Sequence, residues 1–299
     1  MSKIVLSGNV ELKTPLIVQN GEELEVLPGT VITCFSTLFP TTAETIANTG
    51  IIIGAAGSKI TMNGTKASPI TVKAAANQKW GGVQICSYDA VTPKSVLESF
   101  TIAEVGETIY NALRYGKWDE LVGRSTTLSI NYVQLVDAGS VIKGDREFNA
   151  ITLCGVTTRS IHNIKVLNSV DDGIEIFSGD VTGTNWVVEN AQDDALDVDQ
   201  GANVSVINLL LLQSGNNTHL EMGTLTNDLG NSLLIASNVL TNGTIRTILK
   251  NNTQALLSGF IPNGAGRPSL VFDYNSWGTK VNDFGVTNQM ICVPPQKYP

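Results

Sequence analysis

The sequence is poor in charge: 15% of its 299 residues are Asp, Glu, Lys or Arg, against about 25% in a typical soluble domain. Nineteen basic residues face 27 acidic ones, for a formal net charge of −8, and this balance speaks against a basic face that binds nucleic acid. There are two histidines, His162 and His219, and four widely spaced cysteines, Cys34, Cys86, Cys154 and Cys292, with no CxxC pair. That poverty speaks against a zinc site and against a disulfide framework for a chain of this size. Cys34, Cys86 and Cys154 sit among apolar neighbours and read as reduced, buried thiols. Long apolar runs are also missing. Leu209 to Leu212 is among the longest, far short of the roughly 20 residues that cross a bilayer, so no membrane insertion is expected. The start, MSKIVLSGNVELK, has no apolar core of the signal-peptide kind, from which a chain made without a secretory signal is expected.

What is present is apolar and β-prone. Hydrophobic residues make up 42% and mean hydropathy is +0.10, which excludes a disordered chain. Thirty Thr, 26 Asn and 28 Gly accompany abundant Val, Ile and Leu, a mixture that favours short strands and tight turns. Helical periodicity appears in no long window.

Internal repetition decides the architecture. Residues 163–176 read NIKVLNSVDDGIEI and residues 185–198 read NWVVENAQDDALDV, an offset of 22 without a gap. Asn163, Asn168, Asp171 and Asp172 recur as Asn185, Asn190, Asp193 and Asp194. A looser third copy follows, in which Leu220-Glu221-Met222 aligns with Leu196-Asp197-Val198. One repeat holds about three short strands and three turns, the content of one coil of a parallel β-helix. Successive coils would lie roughly 4.8 Å apart, with Ile174, Ile176, Leu196 and Val198 pointing inward. Asn168 and Asn190 would then stack as an amide ladder. Gly173, Gly179, Gly183 and Gly201 are expected to supply positive φ at the bends.

The stretches PLIVQNGEELEVLPGTVI, ITMNGTKASPITV, WGGVQI, EFNAITLCGV and VDDGIEIFSGDVTGTNWVVENAQDDALDVDQG together resemble right-handed parallel β-helix surface and spike proteins of the pectate-lyase-like superfamily, over about residues 10 to 250. The resemblance implies an all-β, single-stranded right-handed parallel β-helix with coils of about 22 residues. Residues 1–254 are assigned to it, with an insertion at about 104–124. Residues 255–299 carry Pro262, Pro268, Pro294 and Pro295 with Phe272, Tyr274 and Trp277, and read as a non-repeat cap or oligomer contact. The insertion brings together Tyr110, Tyr115 and Trp118, which could contact a glycan or a partner; the competing reading is a packing element.

The chemistry concentrates in acids. Between Asn168 and Gly201 lie seven Asp and two Glu with no Lys, Arg or His. The coil period places Asp171 over Asp193, Asp172 over Asp194 and Glu175 over Asp197, about 5 Å apart. Like charges at that distance repel by about 3 kcal/mol at an effective dielectric of 20. A bound cation, raised pKa values or solvation must offset this, and calcium at Asp171, Asp172, Asp193 and Asp194 is one such arrangement. Were the chain an enzyme, Asp172, Glu175, Asp194 and Asp197 would be the glycosidase-like carboxyls. Of the Asn-Thr-Asp, Asp-Asp, His-Gly and Arg-x-Lys elements of polygalacturonases only Asp-Asp is found. A pectate lyase would need a facing base, and Arg146, Arg159 and Lys165 lie outside the acidic block. No catalytic residue is therefore assigned, and no cofactor is expected unless it is calcium.

The resulting expectation is a non-catalytic structural and recognition protein. It would be a phage virion component (a head protrusion, spike or tail protein, or capsid decoration) made in the host cytoplasm and used in host attachment. Its partners would be other virion proteins, host-surface polysaccharide and copies of itself, as a homotrimer by analogy with spike-like β-helices. The alternative is a polysaccharide-degrading enzyme, a glycoside hydrolase or lyase, or a secreted adhesin at the cell surface.

Overall fold

The computed structural model describes residues 2–36, 46–143, 146–213, 217–223, 232–241, 246–250, 253–258, 261–262, 271–272 and 289–293. Its strands form a right-handed parallel β-helix. Two long sheets wrap one core: a 14-stranded sheet running from Lys3–Leu6 to Gln289–Val293, and a nine-stranded second sheet running from Leu16–Val18 to Val271–Phe272. In the clearest coils the register repeats as the sequence predicts. Ile174 pairs with Leu196, Glu175 with Asp197 and Ile176 with Val198, while His162 pairs with Thr184 and Lys165 with Val187. The later coils lengthen, so that Val198 pairs with Met222 and Val206 with Ala236.

Alternation explains the core. In Asp180–Glu189 and Asn203–Leu212 every second side chain of each half-strand is buried. Val188, Leu209 and Leu211 join Ile174, Ile176, Leu196 and Val198 in one apolar column system running the length of the helix. Each fully buried aliphatic side chain contributes about 1.5–3 kcal/mol by leaving water.

Asparagine, more than glycine, turns the long strands. Asn163, Asn185, Asn208 and Asn238 have φ of 50, 58, 64 and 54°, a conformation asparagine tolerates because its short amide bonds locally. Their amides stack in one ladder that starts at Asn131, with successive Nδ2 to Oδ1 distances of 2.8, 2.8, 2.6 and 2.9 Å. The expected Asn168 and Asn190 pair forms a second, longer ladder step at 3.4 Å. Gly179 and Gly201 have the expected positive φ, 84 and 77°. Gly173 and Gly183 do not, which corrects that expectation. They are required by space: a Cβ on Gly183 would lie 2.2 Å from the Ile161 carbonyl oxygen and 2.4 Å from Trp186 Nε1, and one on Gly173 would lie 2.3 Å from Val188. Trp186, fully buried, fills the room left at Gly183 and donates to the Ile161 carbonyl at 2.9 Å.

The insertion is a packed layer that starts before residue 104, at Ser95. The strand Ser95–Val96 pairs antiparallel with Arg114–Tyr115, and two short helices, Ile102–Val105 and Glu107–Ala112, lie between them. Leu97, Phe100, Ile109 and Leu113 form a second apolar cluster with the outward-facing Ile53, Cys86, Cys154 and Phe177 of the second sheet. The strands Val83–Cys86, Ile151–Cys154 and Ile174–Phe177 are therefore buried on both faces, while Leu196–Asp199, beyond the cover, alternates. Cys34, Cys86 and Cys154 are buried free thiols.

Beyond residue 254 the described strands stay in parallel register: Gln254–Ser258 pairs with Leu233–Ser237 and with Gln289–Val293. Pro268, Pro294, Pro295, Tyr274 and Trp277 lie outside the described residues, as does any capping role resting on them.

Replacing Gly183 by Ala should destabilise the fold by about 1–3 kcal/mol through overpacking against Trp186 and Ile161. The midpoint of chemical unfolding measures it, and an unchanged midpoint would mean that the strand does not pass this close to its neighbour.

Candidate acidic site on the second sheet

Parallel register carries residue positions into columns, and two columns hold the acids. The first begins at Asn149, whose Oδ1 accepts the Asp172 backbone N–H at 3.0 Å. One coil on, Asp172 Oδ1 accepts the Asp194 N–H at 2.9 Å. Asp172 thus repeats the part played by Asn149, a side-chain acceptor for the turn of the next coil. Ser169 Oγ closes the same turn by donating to the Asp172 carbonyl at 2.6 Å. The second column lies on the outer face of the second sheet and reads Gln84, Thr152, Glu175, Asp197, Glu221 in unbroken register. Glu175 accepts from Asn149 Nδ2, so one asparagine bridges both columns.

Other segments complete the cluster. Glu98 comes from the insertion, at a strained φ of 52°. Glu147 lies beside Asp171 and opposes its ionisation. Among the described residues two cations bound the acids. Arg146 pairs with Glu104 of the insertion, and Lys250 pairs with Glu221.

Burial shapes the charge. Asp172, Glu175 and Asp194 keep only 6, 5 and 3% of their surface exposed. Desolvation penalises the ionised form of each and neighbouring acids add repulsion. Burial, then Glu147, raises Asp171 to about 8. Burial, then Glu221 and Asp193, raises Asp194 to about 9, and burial, then Glu147, raises Glu98 to about 7. Asp172, Glu175 and Asp197 are pushed well above the usual carboxyl range, foremost by burial. Burial opposes the Lys250 ammonium, yet its bond to Glu221 and the nearby Asp197 and Asp194 leave its pKa raised. Near neutral pH the interior of the cluster is therefore held largely in the protonated form, which removes the repulsion expected of ionised stacks.

A hard cation is the other way to remove it. The carboxylates of Asp171, Asp172 and Asp193 offer oxygens within 4.8 Å of one another, and so do those of Asp172, Asp194 and Asp197. The donor set is all oxygen, as calcium requires, and three carboxylates can supply up to about six of its 6–8 ligands. Asp194 Oδ1 and Asp197 Oδ1 are buried without a hydrogen-bond partner among the described residues. The residues present thus fit calcium, and Asp197 joins the four aspartates expected from sequence.

The conditional catalytic set, Asp172, Glu175, Asp194 and Asp197, is brought together, but with the first three nearly sealed from solvent. Sequence alone missed Glu98, Glu147, Glu221 and Lys250. The signal for Glu221 was present in its alignment with Asp197; the others come from irregular segments with no shared period. Of the three expected contact aromatics, Tyr115 is corrected: it is 2% exposed, stacks on Phe177 with ring centroids 6.2 Å apart and donates to Gln200 at 2.9 Å. Trp118 is half-buried under the Arg114 guanidinium, 4.9 Å from its ring, and donates to the Ser95 carbonyl. Tyr110 packs at the edge of the second apolar cluster. Packing, with the apolar outer face of the second sheet as its cause, is what the insertion's aromatics do.

The sign of the pH dependence follows from the raised values. Unfolded carboxyls titrate near 4, so the folded state binds more protons than the unfolded state above that pH. The associated stability is full below about pH 4 and is lost as pH rises through the folded values near 7, 8 and 9. In chelator-treated protein, Tm should fall steadily from pH 5 to pH 9, and the fall should be shallower in Asp171→Asn. A Tm that rises over this interval would contradict protonated columns.

Among curated proteins and solved structures, no match to the chain is found. Residues 1–258 match the family described as Pectate-lyase like beta helix domain. Coil, register and acid-bearing second sheet all fall within that span, and the chain belongs to the pectate-lyase-like β-helix family.

Proposed function

We propose that this chain is a non-catalytic structural and recognition β-helix, a component of a phage virion (head protrusion, spike or tail protein) that contacts partner subunits and a host-surface glycan. The observation that carries the non-catalytic part is the bond from the Asp194 N–H to Asp172 Oδ1 at 2.9 Å, repeating that from Asp172 to Asn149. A carboxyl that must cleave a glycosidic bond has to touch substrate. Asp172 is instead nearly sealed from solvent and ties one coil to the next.

Self-association is supported by the outer face of the long sheet. One outward column reads Gln134, Lys165, Val187, Leu210 in register, changing from polar to apolar toward the carboxy-terminal coils. Ile207 and Ile235, on adjacent strands, are 53 and 44% exposed. The occupant we propose for this face is a second and third copy of the chain, since a slender helix gains most by burying one apolar end against itself.

Calcium should raise Tm at pH 8, and the double substitution Asp193→Asn, Asp194→Asn should abolish that rise without creating or removing polysaccharide cleavage. Reducing ends or unsaturated sugars released from a host polysaccharide, and lost in the still-folded double variant, would establish the enzyme reading instead. Sedimentation at micromolar concentration should give a trimer, and Ile207→Lys with Leu210→Glu should reduce it to the 31.8 kDa chain. A wild-type protein sedimenting at that mass would refute self-association.

A further inference from the structure

The second sheet ends, coil after coil, in left-handed turns. Gly155 has φ of 66°, Ser178 and Gly179 have 59 and 84°, and Gln200 and Gly201 have 53 and 77°. Stacked, these turns form a recess against the loop that opens the insertion. The resulting cavity measures about 320 Å³ and lies among Asp89, Ser178, Asp180, Gln200 and Asn203, with Val91 beside it. It is distinct from the acid columns, which lie at the other end of the same strands and on their outer face.

The lining has a definite chemistry. Ser178 is 1% exposed, and its hydroxyl has no hydrogen-bond partner among the described residues although it is buried. That hydroxyl lies behind the lining, out of a ligand's reach, and the groups that face the cavity are its neighbours. Asp89 is fixed in place, its Oδ1 accepting the Val91 N–H at 3.0 Å and its Oδ2 the Thr92 hydroxyl at 2.8 Å. Each of its oxygens keeps a further lone pair. Asp180 and Asn203 are exposed. Gln200 spends its carbonyl oxygen on Tyr115, at 2.9 Å, which leaves its amide NH₂ as the donor it can offer. Val91, 72% exposed, adds an apolar lip.

Among the described residues no Lys, Arg or His lines the cavity, and two aspartates do. An anionic ligand is thereby excluded. A bare metal ion would leave most of the volume empty. What matches two carboxylate acceptors, amide donors and an apolar lip is a neutral molecule with hydroxyls on its edges and C–H groups on its faces. The volume sits at the lower end of the roughly 300–1,000 Å³ usual for small-molecule sites, the size for one or two rings.

We infer that this turn cavity binds a neutral sugar residue, with Asp89 and Asp180 accepting from its hydroxyls and the amides of Gln200 and Asn203 donating to its oxygens. This deepens the recognition reading by giving its glycan contact a place and a class, and it rests on that reading only for the sugar's belonging to a host surface.

The test is saturation-transfer NMR and titration calorimetry on the full chain with glucose, galactose, mannose and N-acetylglucosamine, and with galacturonate as the anionic counterpart of galactose. At least one neutral sugar should bind saturably. Asn203→Ala and Asp180→Ala should each weaken it about tenfold while Tm stays unchanged, because both remove exposed side chains. Galacturonate should bind at least about tenfold more weakly than galactose. Absence of binding by all four neutral sugars at tens of millimolar would overturn the inference, as would equal binding of galacturonate. Binding that persists in both variants would overturn the cavity while leaving glycan recognition to another surface, and the sedimentation and cleavage assays would still stand or fall on their own.

Discussion

Everything in this protein depends on the parallel register of its coils. A backbone that pairs with itself every 22 residues stacks each side chain on its counterpart in the next coil, about 4.8 Å away. Like therefore meets like. For Ile174 and Leu196 the consequence is a dry interior, and for the asparagines it is an amide ladder in which each residue is both donor and acceptor. For carboxylates it is a conflict that ionised side chains could not sustain at such spacing. The protein meets the conflict by burying the acids so deeply that they keep their protons, and by using Asp172 as an acceptor for the neighbouring coil's backbone. The same arrangement leaves oxygen sets that fit calcium once those protons leave.

The insertion is the second consequence. One column on the outer face of the second sheet runs through Cys86, Cys154 and Phe177, with Ile53 beside it, too apolar to face water. The insertion covers them and in doing so carries Glu98 over the acid column and Tyr115 to the edge of the turn cavity. A single packing element thus shapes both polar regions, one by sealing it and the other by fixing Gln200.

The coil architecture was legible because the repeat writes register directly into sequence: the offset of 22 between Asp171 and Asp193 is the register of the sheet. Where that period breaks, legibility ends. Lys250 reaches the acids after coils that have lengthened past 22 residues, and Glu98 and Arg146 come from segments with no counterpart in other coils. Composition was misleading at Gly183, where a glycine exists for the sake of Trp186 rather than for its own backbone. At Asn190 the opposite holds, and a residue read as a ladder also takes the left-handed conformation, with φ of 59°. Tyr115 looked like a contact residue because the apolar outer face it covers is distributed over strands almost a hundred residues apart. The turn cavity left no motif, since its walls are single residues from several coils.

The central claim is that the buried acids of the stack, Asp172, Glu175, Asp194 and Asp197, are neutral in the folded protein. Infrared spectroscopy of calcium-free protein in D₂O at neutral pH reads this directly, because a protonated carboxyl and a carboxylate absorb at separate frequencies. The account predicts a protonated-carboxyl band in the native protein that disappears on unfolding and is diminished in Asp172→Asn. A native spectrum showing carboxylate alone would contradict it.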